Sequence, residues 1–252
     1  YKSGSSFSLD NLSDVKFGGT DFTNSLLIGH TTTGTLNNAR NNVGVGTEVL
    51  KSITSGGWNT AIGYQSLKNL TTGSNNTAIG TLALQSITSG SNNVALGNNT
   101  LTSTSTNTYN IAIGTFSLEN TTASYNVGIG YEAGRTNSIG ANNTYIGDGA
   151  DALAATYYRS TAIGTDSKIT KSDQIVLGKS SSPPEVYIPG NVGIKTTSPS
   201  KTLDVAGDIN YTGTLYQNGS AVTLGGGASS LDGLSDVKFG GTDFSGSLLI
   251  GH

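Results

Sequence analysis

The stretch NTAIGYQSLKNLTTGSNNTAIG, residues 59–80, contains the pattern that decides the fold. It opens and closes on the same five residues, so that its two Ile-Gly pairs are 17 residues apart. An aliphatic residue followed by Gly recurs from Gly29 to Gly178, and Lys195 then stands where the next glycine is due. The successive intervals are 17, 17, 17, 17, 17, 16, 17, 17, 14 and 17 residues. A period of this length is typical of repeat proteins, in which successive coils stack on one another.

Aligned on these glycines, which we call the column glycines, the coils fall into columns of like residues. The column glycines of the regular coils are Gly46, Gly63, Gly80, Gly97, Gly114, Gly130, Gly147 and Gly164. Four residues earlier stand Asn42, Asn59, Asn76, Asn93, Asn110, Asn126 and Asn143. Directly before the glycine stand Ile62, Ile79, Leu96, Ile113, Ile129, Ile146 and Ile163. The residue two before is mostly Ala or Gly, and Leu50, Leu67, Leu84, Leu101 and Leu118 stand four after.

Each column has a physical interpretation. Residues one and three before the glycine share one face of a strand, and residues two and four before share the other. The Ile column therefore predicts a core stripe, and the small column predicts a close approach of backbone. The Asn column predicts a ladder of amides that bond from coil to coil. The column glycine predicts a turn that needs positive φ or room for a neighbour.

Composition favours β-structure over helix. Gly is abundant, charged residues are only 12% of the chain, and Gly, Asn, Thr and Ser are all unfavourable inside helices. We therefore predict an all-β fold, a parallel β-solenoid or β-roll of about ten 17-residue coils. At roughly 4.8 Å per coil, these would form a rod on the order of 50 Å long.

A second, longer repeat frames the chain. Residues 9–30 and 231–252 differ at three of 22 positions, which predicts tandem units of about 222 residues; one duplicated cap at each end is the alternative. The predicted segments are an inter-unit β segment at 1–30, β-roll coils at 31–178, a collar with a strand–turn–strand at Asn218-Gly219 within 179–227, and the start of another unit at 228–252.

Residues suited to chemistry are few. The only histidines, His30 and His252, occupy equivalent repeat positions, and there is no Cys, so we predict neither an enzyme nor a cofactor. Asp10, Asp14 and Asp21 are weak candidates for binding calcium. A net charge of −3 without a basic cluster argues against nucleic acid, and short apolar runs argue against membrane insertion.

Aromatic residues offer a possible surface for a receptor, although such residues more often cap a core or fill a subunit interface. They are Phe17, Phe22, Trp58, Tyr109, Tyr125, Tyr157 and Tyr158.

Two parts of the chain resemble known families. The Asn-x-Ala-Ile-Gly coils resemble the head repeats of YadA-like trimeric autotransporter adhesins, a left-handed parallel β-roll that assembles as a trimer. Residues 191–222, NVGIKTTSPSKTLDVAGDINYTGTLYQNGSAV, resemble the collar that precedes an endosialidase-type intramolecular chaperone in phage and virus tail fibres. Together the resemblances imply a homotrimeric fibre that is extracellular or on a virion surface.

The expected function is a structural fibre or adhesin shaft whose partner is itself, with a surface glycan or receptor as a possible second partner. A glycan-binding or glycan-degrading module is one alternative; degradation needs paired carboxylates, and Glu48, Glu119 and Glu132 are scattered along the chain. An ice- or surface-binding solenoid is another. Its Thr face would be the mixed column Val43, Thr60, Thr77, Val94, Ile111, Val127, Thr144 and Thr161.

Overall fold

The computed structural model describes residues 15–18, 20–29 and 33–207, and the strands within 216–250. These residues are all-β, which confirms the predicted class, and none of them forms a helix that could cross a membrane. The chain divides into two units, Tyr1–Glu185 and Val186–His252.

The described residues of the first unit form 13 short strands, separated by turns and bends. Their bounds are β1 Val15–Phe17, β2 Leu26–Ile28, β3 Val43–Val45, β4 Thr60–Ile62, β5 Thr77–Ile79, β6 Val94–Leu96, β7 Ile111–Ile113, β8 Val127–Ile129, β9 Thr144–Ile146, β10 Asp151–Ala152, β11 Thr161–Ile163, β12 Lys168–Ile169 and β13 Ile175–Leu177.

One long sheet runs through this unit. It begins with the antiparallel pair β1–β2 and continues with β3 to β9, β11 and β13, each parallel to the strand before it. The register joins equal positions of successive coils, so that Ala61 pairs with Ala78 and Ile62 with Ile79. The chain is thus a parallel β-solenoid of about nine turns, as the 17-residue period predicted.

The interior of the solenoid is built from the small column and from the opposite turn. Ala61, Ala78 and Ala95 are fully buried. So are the leucines four residues after the first five column glycines, which are Leu50, Leu67, Leu84, Leu101 and Leu118. Ile53, Leu70 and Ile87, seven residues after the glycine, complete the core of the first coils.

The Ile column lies outside this core, so its predicted role was wrong. Leu96 is half-buried, and the six isoleucines are between 36% and 41% exposed. The members of the column are Ile62, Ile79, Leu96, Ile113, Ile129, Ile146 and Ile163.

The narrow cross-section of a 17-residue coil explains why the small residues of each strand are buried and the isoleucines are not. The leucines of the opposite turn reach across the interior and leave no room for a second large side chain on the strand. At Gly128, for example, even an added Cβ would lie 2.8 Å from Cγ of Leu118. The strand must therefore turn its smallest residues inward, and its β-branched residues face outward.

Six short strands are described in the second unit. They are β14 Val192–Ile194, β15 Leu203–Val205, β16 Tyr216–Gln217, β17 Ser220–Ala221, β18 Val237–Phe239 and β19 Leu248–Ile250. The pair β16–β17 is antiparallel and flanks Asn218-Gly219, which agrees with the predicted strand–turn–strand.

The last interval of the period, which ends at Lys195, does not form a further coil of the long sheet. Strand β14 pairs with β15, whereas the long sheet ends at β13. Pro183, Pro184 and Pro189 stand between the two, and a proline has no N–H to offer to a sheet.

The duplicated motif forms the same hairpin in both copies. In the first copy Val15 pairs with Ile28, and in the second Val237 pairs with Ile250, with equal register in between. In the first copy β2 also pairs with β3, so the hairpin forms the start of the long sheet.

Candidate functional site

The outer strand face, formed by the residues one and three before each column glycine, is a long apolar surface of the first unit. It carries Val, Ile, Leu or Thr in the strands β3 to β9, β11 and β13. At about 4.8 Å per strand, the aliphatic residues next to the glycine follow one another for roughly 40 Å. Single exposed aliphatic residues are ordinary, whereas a continuous stripe of them is a feature that needs an explanation.

The asparagines of the ladder lie on the inner side of the same strands and are all buried. The side chain of Asn59 donates to Oδ1 of Asn42 at 3.0 Å, and that of Asn76 donates to Oδ1 of Asn59 at 3.1 Å. The backbone N–H of Asn76 donates to the same oxygen of Asn59 at 3.0 Å. Each amide therefore satisfies polar groups of the neighbouring coil as well as its own.

Backbone bonds of this kind continue along the column to Asn143. They run from Asn93 to Asn76, Asn110 to Asn93, Asn126 to Asn110 and Asn143 to Asn126. A serine stands at either end: Oγ of Ser25 accepts from the N–H of Asn42, and the N–H of Ser160 donates to Asn143. The shorter coil of 14 residues follows Ser160, where the hydroxyl bonds to Lys171 and Gln174 instead.

The column glycines bring the backbones of successive coils together. Gly63 has φ of 124°, and a Cβ there would lie 2.6 Å from the carbonyl oxygen of Gly80. Both reasons that the sequence suggested for glycine thus apply at this position. The other column glycines also have positive φ: Gly46, Gly80, Gly97, Gly114, Gly130, Gly147 and Gly164.

An edge of the solenoid carries large exposed aromatic side chains, next to the Asn ladder. This aromatic edge consists of Trp58, Tyr109, Tyr125 and Tyr158 with the flanking Arg40 and Arg159. Tyr109 and Tyr125, from successive coils, stack with centroids 5.1 Å apart and planes 9° apart. Of the other predicted aromatic candidates, Phe22 is buried and Tyr157 is half-buried, while the side chain of Phe17 lies outside the described residues.

Charged residues form small networks on the turn that follows the column glycine. Glu48 bonds Nζ of Lys51 at 2.5 Å and Nζ of Lys68, one coil further, at 2.8 Å. These bonds lower the pKa of Glu48 to about 2. The carboxylate is therefore ionised over the whole range in which proteins normally work.

The structure also brings together two carboxylates that the sequence left apart. Glu119 and Glu132 both bond Arg135, at 2.7 and 2.6 Å. The guanidinium bridges the two carboxylates on a part-exposed surface and offsets one of their two charges, so the three side chains form a link between coils.

One buried region departs from the repeat. The hydroxyl of Tyr145 is buried without a hydrogen-bond partner, and desolvation raises the pKa of this tyrosine. Asp151 nearby in the chain is almost fully buried, and burial raises the pKa of its carboxyl. Its oxygens accept bonds from the backbone N–H groups of Thr136 and Ala152.

The remaining candidates do not form a site in the described residues. Asp21 is exposed, whereas Asp10, Asp14, His30 and His252 lie outside the described residues. Within the described part of the chain, no group of three or more His, Cys, Asp or Glu side chains is placed to hold a metal ion. A cleft of about 580 Å³ at the end of the long sheet is lined by Ile163, Leu177 and Pro184, with Asp166 and Lys179 paired beside it.

No family model matches the chain, and no curated protein or solved structure matches it at a significant level.

Proposed function

We propose that the protein is the structural shaft of a fibre or adhesin at a cell or virion surface, assembled as a parallel homotrimer through the outer strand face. The single observation that supports this proposal is the continuous aliphatic column on that face. In a parallel trimer, equal coils of the three chains meet at the same height. An interface of that kind needs an apolar residue in each coil, and the column supplies one.

The architecture of the chain suits a mechanical role. Each coil bonds to the next through backbone hydrogen bonds, stacked column glycines and buried amides. Stability is then a sum of contacts between neighbours, so the rod can be lengthened without a larger core. The resemblance to trimeric adhesin heads and to tail-fibre collars points to the same role and to the number three.

Replacing apolar residues of the outer strand face by charged ones tests the proposal. We expect wild-type protein to elute at the mass of three chains, and a variant with Ile79→Lys and Ile113→Lys to elute at the mass of one. Ile139→Lys is the matched control, because Ile139 is 62% exposed but lies away from this face. Size-exclusion chromatography with light scattering gives the masses, and circular dichroism verifies that the variants fold. A double variant that keeps the wild-type mass would contradict the proposal.

A further inference from the structure

We propose that strand β19 is a docking edge for strand β3 of a second copy of this chain, so that the second hairpin, β18–β19, joins one solenoid to another. The inference goes beyond the proposed shaft, because it concerns how rods add to one another and does not depend on how many chains lie side by side. It starts from the contact that the first hairpin, β1–β2, makes with the first coil.

The first hairpin closes the start of the solenoid through backbone hydrogen bonds. Strand β2 lies parallel to β3, and Leu26 pairs with Val43. The N–H of Leu26 donates to the carbonyl of Asn42, and the N–H of Gly46 donates to the carbonyl of Ile28, both at 2.8 Å. Strand β2 thus covers the edge that β3 would otherwise present to another strand.

Three side chains of the first hairpin take part in the same contact. Leu27 is fully buried, and a Cβ added at Gly44 of the first coil would collide with its Cδ1. Phe22 is buried in the same core. Oγ of Ser25 accepts from the backbone N–H of Asn42 at 2.9 Å. The hairpin therefore covers the end of the core as well as the edge of the sheet.

The second hairpin has the sequence that this contact requires. Its two strands pair in the same register as β1 and β2. Among the differences between the copies is the position of Asn24, which has φ of 54° and is replaced by Gly246, and glycine adopts such a backbone without steric cost. The residues that correspond to those of the contact are unchanged, and they are Phe244, Ser247, Leu248, Leu249 and Ile250.

Strand β19 pairs with β18 alone among the strands that the structure describes. The unpaired N–H and C=O groups of an edge strand accept a further strand readily. The first hairpin identifies the strand that fits this edge, because its own β2 pairs with β3. A second copy of the chain supplies that strand.

Exchange of one hairpin for the other keeps the same residues in contact, which is the condition for domain swapping. Within one chain the first hairpin is tethered to β3 by residues 29–42, and its high effective concentration keeps it in place. The second hairpin therefore binds a copy whose β3 has lost its own hairpin. Such a joint is head-to-tail, and contacts of this kind build open filaments.

The test makes the same substitution in the two copies of the motif within the full chain. Leu27→Asp places a charge in the core and displaces the first hairpin from β3. We expect this variant to polymerise, with a mass in sedimentation velocity that exceeds that of wild type and rises with protein concentration. Leu249→Asp is the matched control and should keep the wild-type mass. The double variant, in which neither hairpin can dock, should not polymerise.

Wild-type protein should act as a chain stopper, because it offers β19 while its own β3 is covered. Mixed at equal concentration with Leu27→Asp, it should lower the mean mass of the polymers by at least about half. Leu249→Asp protein should not lower it. A chain that lacks residues 1–30 is a second variant, which uncovers β3 without a charge in the core, and it should polymerise like Leu27→Asp.

The proposal is overturned if neither Leu27→Asp nor the shortened chain polymerises, whether or not the two fold, because the second hairpin should replace the missing one. It is equally overturned if the double variant polymerises as the single one does. Equal shortening of the polymers by wild type and by Leu249→Asp would also contradict it, since the stopper would then not act through β19.

Discussion

The ring of Tyr145 occupies the space that a side chain at Gly134 would need. A Cβ at Gly134 would lie 2.6 Å from Cδ2 of Tyr145 and 2.6 Å from Cδ2 of Leu118. In the regular coils these two positions hold Leu and Ala, as in Leu67 and Ala78. This coil has therefore exchanged the large and the small residue across its core and kept the total volume similar.

The exchange predicts strong coupling between the two positions. Tyr145→Ala should lower the free energy of unfolding by about 3–5 kcal/mol through the cavity it leaves. Gly134→Leu should lower it by about 1–3 kcal/mol through overlap. The double variant restores the regular pair. Its loss of unfolding free energy should be smaller than the sum of the two single losses by at least about 1 kcal/mol. Urea unfolding at one protein concentration measures the cycle, and additive effects would show that the residues do not share one space.

The buried ladder makes Asn76 a sensitive position. Its amide donates to the carbonyl of Gly90 at 2.9 Å, and its oxygen accepts from the backbone and the side chain of Asn93. Asn76→Ala leaves the carbonyl of Gly90 and the backbone N–H of Asn93 without these bonds, at a cost of about 1–3 kcal/mol for each one. Asn69→Ala, on an exposed side chain, should change the unfolding free energy by less than about 0.5 kcal/mol. Equal urea midpoints for the two variants would argue against a structural ladder.

The close contact between column glycines predicts that adding one methyl group at such a glycine destabilises the fold. Gly63→Ala should lower the free energy of unfolding by about 1–3 kcal/mol from backbone strain, and by more from overlap with Gly80. At Gly190 an added Cβ would meet nothing within 4 Å, so Gly190→Ala is the control and should leave the thermal midpoint unchanged. A wild-type midpoint for Gly63→Ala would mean that the coils are further apart than the structure places them.

Asp151 predicts a pH dependence of stability. Its folded pKa is raised above 3.8 by desolvation, so the native state binds more protons than the unfolded state between the two pKa values. The contribution of Asp151 to stability is therefore most favourable below about pH 4 and falls as the pH rises through the folded pKa. Asp151→Asn should remove this fall and be more stable than wild type at pH 7, because an amide oxygen can still accept from Thr136. Urea unfolding from pH 3.5 to 8 measures it, and parallel curves for the two proteins would contradict the assignment.

The period and the register of the solenoid could be predicted because both follow from the spacing of like residues along the chain. Which strand face is buried could not be judged from residue size. Ile62 looks like a core residue, but the interior beside it is already filled by leucines such as Leu67, which leaves room only for Ala61. The position of the Asn column was the decisive signal. The asparagine stands four residues before the column glycine and the small residue two before it, so both lie on one side of the strand. A ladder of amides on that side places it in the interior.

Other features depend on contacts between coils that spacing alone does not identify. Glu119 and Arg135 are 16 residues apart, which is one coil, but only the structure shows that their turns align. The exchange of Gly134 and Tyr145 is a single departure from the repeat, and it becomes meaningful only when the two residues are seen to face each other.

Sedimentation equilibrium of the wild-type chain tests the central claim, that the outer strand face is covered by two further copies of the protein. The account predicts one species of three times the chain mass of 25.6 kDa, unchanged over a wide range of protein concentration. A single species at 25.6 kDa over the same range would contradict it.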